Sequence, residues 1–184
     1  LKTVRWNTYT GGPLIFSRKL KIMIIAVDFD GTCVTHAFPE VGKNIGSVPV
    51  LKELVAQGHQ LILWTMRSNV TANTGFSDEV PEVHNGSFLD HAIAWFKEND
   101  IPLYCFQTNP TQGSWTTSPK CYAHMYIDDA ALGCPLKTDR TISDRPFVDW
   151  QQVLGYLFEE GILSGGEEKY DQLVNQVEKE YPLI

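Results

Sequence analysis

Six side chains in this sequence are of kinds that handle an anion: Asp28, Asp30, Thr65, Lys120, Asp128 and Asp129. Asp28 and Asp30 stand at i and i+2 where an apolar run (22–27) ends, so both project to one side while the chain stays extended. Gly31 then lets the backbone turn away, and Thr32 adds a hydroxyl. Thr65 closes a second apolar run, QLILW, and Asp128-Asp129 closes a third. Lys120 lies a few residues upstream of that third run. If the runs are strands of one parallel sheet, their carboxyl ends share an edge, the place where open α/β sheets bind ligands.

Carboxylates gathered on one edge repel one another unless a cation joins them. Oxygen donors suit Mg²⁺, which prefers carboxylates, water and substrate phosphate. The set contains no His or Cys, which argues against zinc. A metal and Lys120 would neutralise a phosphoryl-type substrate, and Thr65 would hydrogen-bond its oxygens. One carboxylate can then attack as a nucleophile. A second can protonate the leaving alkoxide and later deprotonate water. Arg67, two residues past Thr65, is a candidate substrate contact, weighed against an ordinary surface arginine.

The elements that must position these groups follow from the hydrophobic pattern. Apolar runs at 22–27, 60–64, 103–106 and 122–127 read as buried strands, with no polar alternation in the first. Between and after them, amphipathic stretches at 50–57, 87–99, 150–159 and 167–180 read as helices. Pro49 suits the first turn of one helix and Gly58 its stop. Ser87 with Asp90 reads as a capping box, and Asp149 as an N-cap. A further short strand is expected over 146–150. Strands alternating with helices predict a mostly parallel sheet with right-handed crossovers. Loops at 33–48, 66–86 and 107–119 lie on the strand-end side. They carry His36, His84 and Trp115, residues able to touch a substrate but commonly found on plain surfaces.

Composition narrows the class. The chain has 184 residues, 43% hydrophobic and 20% charged, enough for one domain with a real core. No apolar run approaches the roughly 18 residues of a membrane span. A net charge of −7 argues against a nucleic-acid partner. Cys33, Cys105, Cys121 and Cys134 show no CxxC spacing, which fits reduced thiols and a cytoplasmic setting. Residues 1–22 hold five basic and no acidic residues and read as an N-terminal extension, with Met23 the expected natural start. The division expected is 23–160 as the catalytic domain and 161–184 as a linker with an acidic amphipathic helix.

With the motifs in order, the sequence resembles the haloacid dehalogenase (HAD) superfamily of phosphohydrolases over roughly 22–158. Asp28-Phe29-Asp30-Gly31-Thr32 is similar to its D-x-D-G-T motif, Thr65 to the second motif, Lys120 to the basic third and Asp128-Asp129 to the acidic fourth. The resemblance implies a Rossmannoid three-layer α/β/α sandwich and a Mg²⁺-dependent phosphatase working through an aspartyl-phosphate. It implies that Asp28 is nucleophile and metal ligand, and Asp30 the acid/base with its backbone carbonyl on the metal. Thr65 and Lys120 would hold the phosphoryl group, and Asp128 and Asp129 would complete the metal site. The spacing between motifs leaves room for loops but not for a cap domain. Capless relatives often act on large phosphorylated substrates as well as small ones, so both are expected partners. A phosphotransferase on the same site and a non-catalytic phosphate-binding protein are the alternatives.

Overall fold

The computed structural model describes residues 21–70 and 86–181. Most of the expected 1–22 extension and the centre of the 66–86 loop, with His84, lie outside the described residues. In chain order the elements are β1 (Ile24–Val27), α1 (Ser47–Ala56), β2 (Gln60–Leu63), β3 (Asn69–Val70), β4 (Gly86–Ser87) and α2 (Phe88–Glu98). There follow β5 (Cys105–Phe106), a 3-10 turn (Gln112–Ser114), β6 (Met125–Ile127), β7 (Leu136–Lys137), β8 (Phe147–Val148), α3 (Trp150–Glu159) and α4 (Gly166–Glu180).

Four strands form one parallel sheet in the order β5-β2-β1-β6. The register sets Val27 beside Leu63 and Ile127, so β1, β2 and β6 end level with one another. This is the α/β parallel sheet read from the sequence. The expected strand over 146–150 is the short β8, but it pairs antiparallel with β7 in a separate hairpin. β3 and β4 form a second small antiparallel pair. The described residues contain no cap domain, as the motif spacing implied.

Side chains alternate across the sheet. Ile25, Val27, Leu61 and Leu63 face one continuous core, fully buried with Leu51 and Leu54 of α1, Ala92 of α2 and Leu154 of α3. Leu173 and Val177 of α4 close the same core, so the C-terminal helix packs into the domain rather than trailing from it. The chain steps β1, β2, β5 in one direction, and right-handed crossovers then put α1 and α2 on one face. Its return from β5 to β6 must cross the other face. There Ala26 and Ile62 are buried outside the main core, and the chain from β5 to β6 is a loop with one 3-10 turn. Within it the buried Gln112 side chain donates to the Ser118 and Lys120 carbonyls at 2.7 and 2.9 Å. Asn109 Nδ2 donates to the Tyr122 carbonyl at 2.8 Å, and the Tyr126 hydroxyl on β6 donates to the Cys121 carbonyl.

The start of α3 follows the sequence reading closely. Asp149 caps α3, its Oδ1 accepting from the Gln151 and Gln152 amides. α1 starts at Ser47, earlier than the pattern suggested, because Gly46 turns the chain at φ 89°. The capping box at Ser87 does not form: Ser87 makes no side-chain cap. Asn69 on β3 takes the role across the chain, its Oδ1 accepting from the Leu89 and Asp90 amides and its Nδ2 donating to Asp90. Among the described residues no helix is long and apolar enough to cross a membrane. The four cysteines are free thiols.

Candidate metal and anion site

Level strand ends deliver the carboxylates to one place. Asp28 follows β1, while Asp128 and Asp129 follow its parallel neighbour β6, and the Asp28 amide donates to the Ile127 carbonyl at 3.0 Å. One oxygen from each of Asp28, Asp128 and Asp129 lies within 4.8 Å of the others. The buried Thr32 hydroxyl ties them together, accepting from the Asp129 amide at 3.0 Å and approaching Asp28 Oδ2 at 3.5 Å. Asp128 Oδ1 accepts from the Ala130 amide at 2.8 Å, and His36 Nε2 stands 3.1 Å from Asp129 Oδ2. Gly31 is required here. Its φ is +79°, and a Cβ would sit 2.2 Å from His36 Nε2 and 2.8 Å from Asp129 Oδ2.

The electrostatics of this cluster suit a cation. Burial pushes the Asp28 carboxyl up to about 7, with Asp128 and Asp129 adding like-charge repulsion. Hydrogen bonds from the Phe29 amide and the Thr65 side chain pull the other way. A metal ion among the three carboxylates would remove the repulsion, and an all-oxygen donor set fits a hard divalent ion. Asp28, Asp128 and Asp129 can therefore hold a metal ion.

The Asp30 carboxylate is not part of that cluster. It accepts two bonds from Arg67, from Nε to Oδ2 and from Nη2 to Oδ1, each 2.7 Å. Arg67 also donates to the Pro39 and Glu40 carbonyls at 3.2 and 2.6 Å. Its side chain is 1% exposed, and it lies between the Phe29 and Phe38 rings, 5.0 and 5.3 Å from their centroids. Arg67 lines the cleft, and its guanidinium is bonded to Asp30 and to two backbone carbonyls.

Thr65 stands where β2 ends, and its Oγ1 accepts from the Arg67 amide at 3.2 Å. Gln107, just past β5, locks this turn. Its Nε2 donates to the Thr65 and Arg67 carbonyls at 2.6 and 3.0 Å, and its Oε1 accepts from the Thr65 amide at 3.2 Å. Sequence reasoning passed over Gln107. The available signal was its place, a polar residue ending the third parallel strand as Thr65 ends the second.

These groups line an open cleft of about 740 Å³, with Asp28, Asp30, Thr65, Asp128, Asp129, Trp64, Met66 and Arg145 among its lining residues. Lys120 does not line it. That lysine is exposed, its Nζ 5.9 Å from the centre of the Tyr126 ring on β6. Gln112 Nε2 donates to the Lys120 carbonyl at 2.9 Å, tying Lys120 into the 107–122 loop. Trp115 packs edge-on against Tyr122, 5.4 Å between centroids, and also lies outside the cleft lining.

No protein-family model and no curated protein matches this chain. A solved structure does, that of a conserved protein coded by a locus from Bacteroides thetaiotaomicron, with 29% sequence identity and a TM-score of 0.54. The match covers 77% of this chain and 93% of that one. The chain is thus similar in sequence and in fold to a conserved bacterial protein, across almost the whole of the latter.

Proposed function

We propose that this protein is a Mg²⁺-dependent phosphohydrolase of the haloacid dehalogenase type, acting on a phosphate monoester through a phosphoryl-aspartate. The observation that carries the reading is the convergence of Asp28, Asp128 and Asp129 at the level ends of β1 and β6, with Thr65 lining the same cleft. Three acids at one edge favour a cation, and a cation beside Thr65 suits a phosphoryl-type ligand.

Mg²⁺ bound by Asp28, Asp128 and Asp129 would supply charge neutralisation for the phosphoryl oxygens. An Asp28 oxygen attacks phosphorus as the bond from phosphorus to the ester oxygen breaks. Asp30 protonates the departing alkoxide. Asp30 then accepts a proton from water as that water attacks phosphorus, and the bond from phosphorus to Asp28 breaks. The Thr65 hydroxyl binds a phosphoryl oxygen. Arg67 fixes where Asp30 stands, and Asp30 must give up or share one Arg67 contact to pass a proton.

That same pairing favours one other reading: a phosphate-binding protein in which Asp30 is permanently occupied. One experiment separates them. Hydrolysis of an aryl phosphate is expected with Mg²⁺ and not with chelator, and Asp28→Asn should lower kcat by at least about 10³-fold, the scale of losing a covalent nucleophile. Turnover indifferent to both changes would sink the mechanism. Phosphate binding without turnover on a broad panel of phosphate esters would favour the binding protein.

A further inference from the structure

We propose that Arg145 is the cation that binds the substrate's phosphoryl group, in the place the sequence gives to Lys120. This rests on the phosphohydrolase reading above. Two arginines line the cleft, and their circumstances are opposite. Arg67 is buried with its donors committed to Asp30 and two carbonyls. Arg145 is exposed, and among the described residues its guanidinium has no hydrogen bond or ion pair. The nearest alternative, His36, faces Asp129.

Charge balance requires such a group. Three carboxylates and one divalent ion leave the site anionic, and a phosphate ester adds roughly −1.5 to −2 more. Arg67 already neutralises Asp30. A free guanidinium matches phosphate geometry with paired N–H donors and loses little freedom per bond formed.

The position of Arg145 is fixed by the fold. It stands two residues before β8, and the Val148 amide on β8 donates to the Gly31 carbonyl at 2.8 Å. Trp150 Nε1 donates to the Thr32 carbonyl at 2.7 Å. Phe147, Val148 and Trp150 are fully buried. The hairpin bearing Arg145 is therefore anchored on the Gly31-Thr32 turn beside the nucleophile.

Calorimetric titration with inorganic phosphate in the presence of Mg²⁺ tests this, using wild type, Arg145→Ala, Arg145→Lys, Lys120→Ala and Arg140→Ala. Arg140 is on the same hairpin but outside the cleft lining and serves as the control. Arg145→Ala should weaken phosphate binding at least about tenfold, the scale of one charge-assisted contact. Arg145→Lys should recover part of the loss, and affinity for Mg²⁺ alone should not fall. Arg145→Ala binding phosphate as wild type does, or a loss that follows Lys120→Ala instead, would overturn the assignment while leaving the phosphohydrolase reading in place. A wild type that neither binds phosphate nor hydrolyses the aryl phosphate would overturn both.

Discussion

At Asp28 a buried carboxyl sits between two others, and its raised pKa sets how the site responds to pH. The folded value is about 7 against an ordinary 3.8, so the metal-free protein binds one more proton than the unfolded chain between those values. Stability from this group is full below pH 4 and lost as pH rises through 7. With metal the trend reverses, because the ion needs the carboxylate. Apparent Mg²⁺ affinity should fall about tenfold per pH unit below 7, with proton release on binding; calorimetry in two buffers of different ionisation heat measures both. A pH-independent affinity from 5 to 8 would contradict the placement of Asp28 in the metal set. Arg67 gives a second prediction. Removing it strands Asp30, which is only 19% exposed, so Arg67→Ala should cost about 3 kcal/mol in urea unfolding. Adding Asp30→Asn should recover much of that, since the pair is coupled. The acids themselves were legible in the sequence because strand ends announce them. Arg67's partner lies 37 residues away in sequence, a pairing that no local pattern carries. Lys120 fits the motif order by its spacing and stands outside the cleft lining, a placement set by the loop that carries it.

Among the elements, the strands and helices of the main domain were readable from apolar runs and 3.6-residue stripes, because the core enforces those periods. What the pattern missed were contacts made from a distance. Ser87 precedes α2 with the right residue type, but Asn69 arrives on β3 and takes both amides. Asn69→Ala should therefore destabilise by about 1 kcal/mol, the ordinary value of an N-cap, and Ser87→Ala by a few tenths at most. Chemical denaturation of the two variants side by side decides it, and the reverse order would restore the local cap. The segment 107–122 shows the same limit. Its polar composition marked it as a loop, but only the strand order β5-β2-β1-β6 shows that this loop must carry the chain from β5 past β2 and β1 to β6.

For the molecule as a whole, the C-terminal helix is part of what keeps the site assembled. α4 packs on α1 and α3, and a Cβ on Gly46 would lie 2.7 Å from Val177 Cγ1. Leu173→Ala should cost about 2–5 kcal/mol, like other buried leucines, and should lower the midpoint of a single cooperative transition. A separate early transition would instead mark 161–184 as an independent unit. The sequence showed the amphipathic stripe of α4 but not its destination, since a stripe specifies burial and not a partner. The hairpin of β7 and β8 has a similar standing, and its attachment to Gly31 has a consequence for how this protein can diversify. Of its tip, residues 138–146, Arg145 lines the cleft, while its base is clamped to the Gly31-Thr32 turn. Changes of length or charge in the tip away from Arg145 would retune which phosphates are admitted and leave the sheet, the acids and their spacing untouched. Selectivity can thereby shift in a stretch that leaves the acids of the sheet edge in place.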